Sequence, residues 1–383
     1  MDIIRGGKTF SGGKRHHEIV ASVLPKDAQW IDITVPLSNV FAAYSSLFTH
    51  HSSLPIIVFA SGDPLFFGFA NTLRREFPEA DIQVYPTFNS LQMLAHRMCV
   101  AYHDMHVVSL TGRDWTKLDE ALIRSETMIG CLTDRVKTPH AIHRRLTAYG
   151  YTNYQMTVGE NLGNEERERV SIYSEQAVYS APNCIILQKT AARIRPFGIP
   201  DSDFVLLDGR EKMITKMPIR LLTLQALNLP QKHVFWDIGF CTGSVSIEAR
   251  LQFPHLQIHA FEIRPACEAI IQKNAHRHGA PGINIHMGDF LCADVAALPK
   301  PDAVFIGGHG GRLKEIMAKV LTVLTDDGCI VMNSVKAPQV TTDSHRLWDE
   351  ACQALRLQQA EPLHIHINDY HPIEILKGKK VKK

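Results

Sequence analysis

An acid followed by a glycine-rich turn is the feature of this sequence that points most directly to chemistry. The apolar run Val234–Ile238 includes Asp237 and leads into Gly239-Phe240-Cys241-Thr242-Gly243, after which a helical pattern begins at Ser244. Glycine lets the backbone approach a ligand because no Cβ intervenes, and the first turn of a helix offers free N–H groups. The pattern predicts a strand, a turn and a helix that hold a nucleotide-like cofactor.

Two further acids follow at the ends of the next two apolar runs. Glu262 lies 19 residues after Gly243, where a carboxylate can accept the hydroxyls of a ribose. Asp289, followed by Phe290, is placed to accept from an adenine amino group. The spacing suits NAD and S-adenosylmethionine alike, but the turn is DxGxxTG rather than GxGxxG, and with the third acid this favours S-adenosylmethionine. A structural glycine turn with ordinary surface acids is the alternative.

A second glycine-rich segment, Gly307-Gly308-His309-Gly310-Gly311, follows the apolar run Ala303–Ile306. Ligands of open α/β sheets bind at the carboxyl ends of the strands. Backbone without side chains can lie against a large flat substrate, so Gly307, Gly308 and Gly310 are predicted to contact one. His309 is a weak candidate for a proton carrier. It could equally have only a structural role in the loop, and the sequence leaves both roles open.

Apolar runs that alternate with amphipathic stretches predict an α/β fold with mainly parallel pairing in both halves. The predicted strands are Leu54–Ala60, Ile82–Tyr85, His106–Ser109, Thr127–Cys131, Thr152–Val158, Val170–Tyr173, Cys184–Gln188, His233–Ile238, Gln257–Glu262, Ile283–Met287, Ala303–Ile306, Cys329–Ser334, Gln359–Ile367 and His371–Leu376. The predicted helices are Leu65–Phe77, Ser90–Met98, Lys117–Arg124, Pro139–Ala148, Ser244–Gln252, Pro265–Arg277, Arg312–Leu324 and Asp343–Leu355. The last two strands predict an antiparallel hairpin that closes a parallel, Rossmann-like sheet. Because residues 191–200 are rich in Pro and Arg, they are predicted to link a domain at 1–190 to one at 201–383.

Composition narrows the possible functions. The length of 383 residues favours two domains, and a net charge of +2 gives no general attraction to nucleic acid or to anionic lipid. No apolar run approaches the roughly 20 residues of a membrane helix. The eight cysteines form no CxxC pair and the 20 histidines form no HExxH group, so no metal site is predicted. Together with a start that lacks an apolar signal core, this predicts a cytoplasmic protein with no membrane or nucleic-acid partner.

Several motifs resemble the precorrin-6Y C(5,15)-methyltransferase (decarboxylating) family of corrin biosynthesis. In the C-terminal half they are Ile199–Phe204, Met213–Lys216, Trp236–Glu248 and Ala303–Gly308. In the N-terminal half Ser11–His16, Ala60–Gly68, Val108–Arg113 and Val158–Gly163 are similar to the tetrapyrrole-methylase domain of that family. The motifs occur in the family's order over nearly the whole chain. This combination is much more specific than either pattern alone.

The resemblance implies the site residues and a division of labour. S-adenosylmethionine is the implied methyl donor, bound in the C-terminal domain by Thr215, Gly239–Gly243, Glu262, Asp289 and Phe290, and in the N-terminal domain by Gly62 and Asp63. The N-terminal domain would methylate carbon 5 of a precorrin, and the C-terminal domain would methylate carbon 15 and decarboxylate the ring C acetate. Lys14 and Arg113 are implied contacts for substrate carboxylates. Similar enzymes serve cobalt-containing and cobalt-free substrates, and related domains form dimers or tetramers, so a homo-oligomer is expected.

The chain departs from the family pattern at two places. Phe240-Cys241 stands where the family has small residues, so both side chains are expected to point away from the cofactor or to reshape the pocket at its methionine end. The family also has an apolar strand and a glycine-rich loop before the segment that matches Ser11–His16, and the N-terminal domain is expected to lack that strand. This gives an alternative function, in which only the C-terminal domain is active and the N-terminal half is a binding or dimerisation module. An RNA or protein methyltransferase and a dehydrogenase are further alternatives.

Overall fold

The computed structural model describes residues 2–49, 55–210, 212–335, 344–366 and 372–380. The chain divides into two compact units. One unit comprises Met1–Tyr102 with Gly159–Val170, and the other comprises His103–Val158 with Ser171–Lys383. The domain boundaries predicted from the sequence stay a prediction.

The first unit contains a small parallel sheet. Its elements are α1 (Asp2–Gly6), β1 (Thr9–Gly12), α2 (Lys14–Val20), β2 (Gln29–Asp32), α3 (Ser38–Thr49), β3 (Ile56–Val58), α4 (Phe69–Glu76) and α5 (Ser90–Met98). The sheet order is β2-β1-β3, and β1 pairs in parallel with both neighbours. Ser11 Oγ donates to the carbonyl of Ile31 and accepts from the hydroxyl of Tyr44, which fixes β1 between β2 and α3.

The predicted strand Ile82–Tyr85 is wrong, because these residues are neither in a helix nor in a strand. They line a cavity of 870 Å³ together with Ile56, Ile57 and Val58 of β3. A strand needs a neighbouring ladder of N–H and C=O groups, and β3 pairs with β1 in the three-stranded sheet of this unit. The alternation of apolar residues in this segment is typical of a strand, but the segment is not paired with a strand.

A second sheet follows along the chain. Its elements are β4 (His106–Ser109), α6 (Thr116–Arg124), β5 (Met128–Leu132), α7 (Pro139–Ala148), β6 (Tyr154–Glu160), β7 (Arg169–Ile172) and β8 (Asn183–Lys189). The strand order is β4-β5-β8-β6-β7. Because β4 and β5 are parallel but β5 and β8 are antiparallel, this sheet is mixed and the expectation of mainly parallel pairing fails here.

The C-terminal sheet has the predicted Rossmann-like form. Its elements are α8 (Met217–Leu227), β9 (Val234–Ile238), α9 (Ser244–Gln252), β10 (Gln257–Glu262), α10 (Ala266–His278), β11 (Ile283–Met287), β12 (Ala303–Ile306), α11 (Leu313–Leu321), β13 (Cys329–Val335), α12 (Ser344–Leu355), β14 (Leu357–Gln359), β15 (Leu363–Ile365) and β16 (Ile373–Lys380). The order is β11-β10-β9-β12-β13-β16-β14, with β15 also paired to β16. Strands β9 to β13 are parallel, and β16 is antiparallel to β13, β14 and β15.

Helices cover both faces of this sheet, which explains why its central strands are apolar throughout. Trp236, Val304 and Met332 pack on one face with Met317 of α11 and Trp348 of α12. Residues of the opposite face pack with α8 and α9. The reversal of strand order at β9 and β12 creates a crevice at their carboxyl ends, where the glycine-rich segments lie.

Most predicted elements of the C-terminal half are confirmed, with shifts at their ends. Helix α8 was not predicted. Leu54, Asp343, Ile367 and His371 were assigned to predicted elements and lie outside the described residues. Among the residues that the structure describes, no helix is both long enough and apolar enough to cross a bilayer.

Candidate active site

The two glycine-rich segments of the C-terminal sheet come into direct backbone contact. Gly239, which follows β9, has φ +81°, and a Cβ placed on it would lie 2.6 Å from the backbone nitrogen of Gly308, after β12. The Gly307 N–H in turn donates to the carbonyl of Ile238 over 2.8 Å. Gly307, Gly308 and Gly310 are exposed. The first residue of the predicted cofactor turn and the predicted substrate loop therefore meet at the crevice.

The side chains of Phe240 and Cys241 point into the protein. Both are buried, and they pack with Ala260, Cys267 and Ile271. Cys241 has φ +48°, which turns the chain toward Gly243 at the start of α9. These larger side chains turn into the core, and within the turn Gly239 is half-buried whereas residues 240–243 are buried.

Glu262, at the end of β10, is buried and bonded to the cofactor turn. Its Oε2 accepts the N–H of Cys241 at 3.0 Å, and its Oε1 accepts the N–H groups of Ile263 and Arg264, each at 3.0 Å. Nη1 of Arg264 lies 3.3 Å from both carboxylate oxygens. A ligand hydroxyl that binds Glu262 must therefore share this carboxylate with Arg264 or displace it.

Asp289 and Phe290 follow β11, and their side chains have different surroundings. Asp289 Oδ1 accepts the N–H of Leu291, and Oδ2 accepts from Nη1 of Arg312 at 2.8 Å. The hydrogen bond from Arg312 holds the pKa of Asp289 below its usual range. The Phe290 ring is buried between Trp236 and Phe261. Only the backbone of Phe290 is therefore available for the predicted cofactor contact.

Two buried oxygens beside the turn have no hydrogen-bond partner among the described residues. They are Oδ1 of Asp237 and Oγ1 of Thr242. Oδ2 of Asp237 accepts from Ser246 at 2.6 Å, and burial raises the pKa of Asp237 to about 7. A buried polar atom without a partner costs free energy that a ligand can recover. Together with the half-buried Gly239 and the exposed Gly308, these oxygens fit a polar, cationic cofactor such as S-adenosylmethionine.

Thr215 lies just before α8 and is held by a buried ion pair. Arg220 donates to the carbonyl of Thr215 at 2.7 Å, and its Nε lies 3.2 Å from Oε2 of Glu248. Glu248 also accepts the N–H groups of Gly198 and Ile199. Both charged side chains are fully buried. The pair therefore fixes the predicted linker and the Thr215 segment to α9.

His309 lies in the predicted substrate loop. Its Nδ1 accepts the N–H of Gly311 at 3.1 Å, and its carbonyl accepts the N–H of Arg312. Burial lowers the pKa of His309. A neutral imidazole whose Nδ1 is already bonded fits a loop-stabilising role better than that of a proton donor.

The first unit brings its own predicted residues together. Gly62, with φ +65°, is close enough to Asn89 that an added Cβ would lie 3.7 Å from the Asn89 Cα. Asp63 Oδ1 accepts the N–H of Leu65, which is the turn-capping role expected before Pro64. The ring of His16 contacts Ser61 Oγ at 3.0 Å, so the motif that contains Lys14 meets the SGDP motif. Lys14 is exposed at the start of α2.

Arg113 belongs to the second unit, where it is exposed after β4, and its N–H donates to the carbonyl of Leu110. The neighbouring Gly112 N–H donates to Asp134 at 3.1 Å. Sequence reasoning did not select Asp237, Arg264 or Arg312 as site residues. The sequence did offer an indication for Asp237, which lies one residue before the end of the strand that leads into the glycine turn. The contacts of Arg264 and Arg312 depend on side-chain directions that sequence spacing does not reveal.

Comparisons with known proteins agree on one group of enzymes. A family model described as a precorrin methyltransferase domain matches residues 208–373. The chain is 32% identical to a precorrin-6Y C(5,15)-methyltransferase (decarboxylating) from Sinorhizobium sp., over 92% of this chain and 84% of the relative. It is 38% identical to a cobalt-precorrin-6B C(15)-methyltransferase (decarboxylating) from Salmonella typhimurium, over 35% of this chain and 68% of the relative. It is 31% identical to a cobalt-precorrin-7 C(5)-methyltransferase from the same species, over 49% of this chain and 90% of the relative.

Proposed function

The chain belongs to the precorrin-6Y C(5,15)-methyltransferase (decarboxylating) family, and we propose that it methylates precorrin-6Y or its cobalt form at carbons 5 and 15 and decarboxylates the ring C acetate, in cobalamin biosynthesis. S-adenosylmethionine is the methyl donor. The observation that carries the proposal is the alignment with a bifunctional relative over 92% of this chain. An alignment of that extent favours two activities over an active C-terminal domain alone.

In the C-terminal domain, the described residues support a role in positioning donor and acceptor. When bound, S-adenosylmethionine supplies a methyl group that is already activated. The protein then has to align the two reactants and exclude water, which can contribute several kcal/mol to a transfer reaction. Gly308 is exposed and Gly239 is half-buried at the crevice. Glu262 would accept the hydroxyls of a ribose, and Asp237 would place a buried acid near a cation.

The substrate is expected to react with little help from a general base. Meso carbons of a reduced tetrapyrrole are enamine-like, so they are nucleophilic without deprotonation by the protein. The glycine-rich loop Gly307–Gly311 would lie against the macrocycle. Arg113, in the same unit as this loop, would pair with a carboxylate of the substrate bound there. Lys14 would pair with a carboxylate of a substrate bound to the first unit.

In the first unit, Gly62 and Asp63 would contact a second molecule of S-adenosylmethionine for methylation at carbon 5. The contact between His16 and Ser61 supports a shaped loop at this position. We also propose a cytoplasmic homo-oligomer, by analogy with related methyltransferase domains.

A calorimetric titration of the full chain with S-adenosylmethionine tests the two-site proposal. We expect two sites per chain, of which Glu262→Gln weakens one and Gly62→Ala weakens the other. A single site that Gly62→Ala leaves unchanged would favour the alternative, in which the N-terminal half is a binding or dimerisation module. No binding at either site would contradict the proposed function as a whole.

A further inference from the structure

A buried carboxylate that contacts two histidines lies outside every motif considered above. Glu374 on β16 is 1% exposed. Its Oε2 lies 2.5 Å from Nδ1 of His345 on α12, and its Oε1 lies 2.7 Å from Nδ1 of His364 on β15. Nε2 of His345 is also 3.6 Å from Asp349. We call His345, His364 and Glu374 the Glu374 cluster.

The strand register places this cluster at the ligand-binding edge of the sheet. Ile306 of β12 pairs with Met332 of β13. Two residues further along β13, Ser334 pairs with Glu374 of β16. Glu374 is in turn level with His364 on β15. Ser334, Glu374 and His364 therefore lie at the same level along the strands as Gly308, which is two residues beyond Ile306. At about 4.8 Å between neighbouring strands, His364 lies on the order of 15 Å along the edge from the Gly308 position.

Burial differs sharply within the cluster. The side chain of Glu374 is 2% exposed, whereas that of His364 is 68% exposed. A buried carboxylate is costly unless charged or polar partners compensate it, and here two imidazoles face it. The contact between Nδ1 of His364 and Oε1 is an ion pair by distance and not a hydrogen bond, and Nε2 is the ring nitrogen that lies away from this contact. A histidine that pairs with a buried acid through one ring nitrogen can transfer a proton through the other.

The proposed decarboxylation needs a proton. The bond between the acetate methylene carbon and the carboxylate carbon breaks, carbon dioxide leaves, and the electron pair passes into the conjugated macrocycle. A new C–H bond then forms at the former methylene carbon, which becomes a methyl group, so one proton is consumed in each turnover. His309 fits this task poorly because its Nδ1 already accepts from Gly311 and its ring is not paired with a carboxylate in the described contacts.

We propose that His364 is the catalytic acid of the decarboxylation step and that Glu374 is its positioning residue. Nε2 of His364 donates the proton to the methylene carbon, and water returns a proton to the exposed ring afterwards. Glu374 compensates the charge of the protonated imidazole through this ion pair, and His345 anchors Glu374 from α12. This inference rests on the proposed function, since it assigns a residue to one of its steps.

The test compares His364→Gln with the unaltered full chain, supplied with S-adenosylmethionine and precorrin-6Y. We expect the decarboxylation rate to fall about 100-fold or more, the usual range for loss of a general acid, so that methylated product that still carries its acetate accumulates. In His364→Ala, added imidazole should restore part of that rate. Glu374→Gln should likewise lower decarboxylation more than methylation, which loss of structure alone would not do.

His366→Gln is the matched control, because His366 is exposed just beyond the same strand. This variant should decarboxylate the substrate at the unaltered rate. Normal decarboxylation by His364→Gln would overturn the inference and leave the proposed function intact. Equal loss of methylation and decarboxylation would also overturn it, because that result indicates substrate binding. Failure of the unaltered chain to methylate or decarboxylate would contradict the proposed function itself.

Discussion

The backbone N–H of Cys241 donates to Oε2 of Glu262 over 3.0 Å. This bond joins the glycine-rich turn after β9 to the end of β10, the two places from which the sequence predicted cofactor contacts. Because the same carboxylate also meets Arg264, Glu262 organises the site before any ligand arrives.

Replacement of Glu262 should weaken cofactor binding. In Glu262→Gln the charged acceptor is lost, and hydrogen bonds to a charged group contribute roughly 1.5–3 kcal/mol, so the affinity for S-adenosylmethionine should fall about 10-fold to 100-fold. Calorimetric titration measures the change at the C-terminal site. Glu268→Gln, on the exposed side of α10, is the control and should bind normally. An unchanged affinity in Glu262→Gln would rule out a role for this carboxylate in cofactor binding.

Asp237 should make cofactor affinity depend on pH. Burial raises its pKa to about 7, so the acid is mostly protonated at pH 6 and mostly ionised at pH 8. Since the cofactor is cationic, its affinity should rise roughly tenfold between these pH values. Titrations at both pH values measure this, and Asp237→Asn should bind with nearly the same affinity at each. A rise of equal size in Asp237→Asn would assign the pH dependence to another group.

A side chain at Gly239 should be poorly tolerated. In Gly239→Ala the Cβ would lie 2.6 Å from Gly308 N, at φ +81°. We expect a loss of about 2–4 kcal/mol in the free energy of unfolding, measured by urea denaturation. Gly209→Ala separates the two causes, because Gly209 has φ +71° with no atom within 4 Å of an added Cβ. If both variants lost the same amount, the backbone conformation would explain the result and the close contact with Gly308 would not.

The stacked pair His259 and His286 should limit stability in acid. Their nitrogens are 2.9 Å apart, and burial lowers the pKa of His259 from 6.5 to about 4. The unfolded chain therefore binds a proton that the folded chain does not, and stability should fall as the pH drops from about 6.5 to about 4, by on the order of 3 kcal/mol for this group. His259→Phe should flatten that part of the profile, as followed by urea denaturation at each pH. His103→Gln, at an exposed position, should keep the original profile.

How far the sequence predicted the fold depends on the kind of pattern in each segment. Strands β10 and β11 and helices α5 and α7 begin and end where predicted, because apolar runs or caps such as Asn89 mark their ends. Helix α8 was missed because its burial follows from packing against β13 and β16 rather than from a marked polar face. Ile82–Tyr85 has the apolar alternation of a strand, but pairing depends on which chain segments become neighbours.

The candidate site, like the fold, was predicted from the sequence only in part. Spacing along the chain indicated Glu262 and the Gly239–Gly243 turn, since ends of parallel strands meet at one edge of a sheet. Spacing could not reveal that Arg264 contacts the carboxylate of Glu262, that the Phe290 ring lies in the core, or that Glu374 contacts two histidines. Those contacts join side chains whose directions are set by packing in three dimensions, so only the structure displays them.

The mass of the product tests the central claim most directly. The purified chain would be incubated with methyl-labelled S-adenosylmethionine and precorrin-6Y, with the cobalt form in a parallel sample, and the product analysed by mass spectrometry. The account predicts a gain of two labelled methyl groups and the loss of one carbon dioxide from one of the two substrates. A product with one methyl group would contradict the assignment of carbon-5 methylation to the first unit. Recovery of both substrates unchanged would contradict the account as a whole.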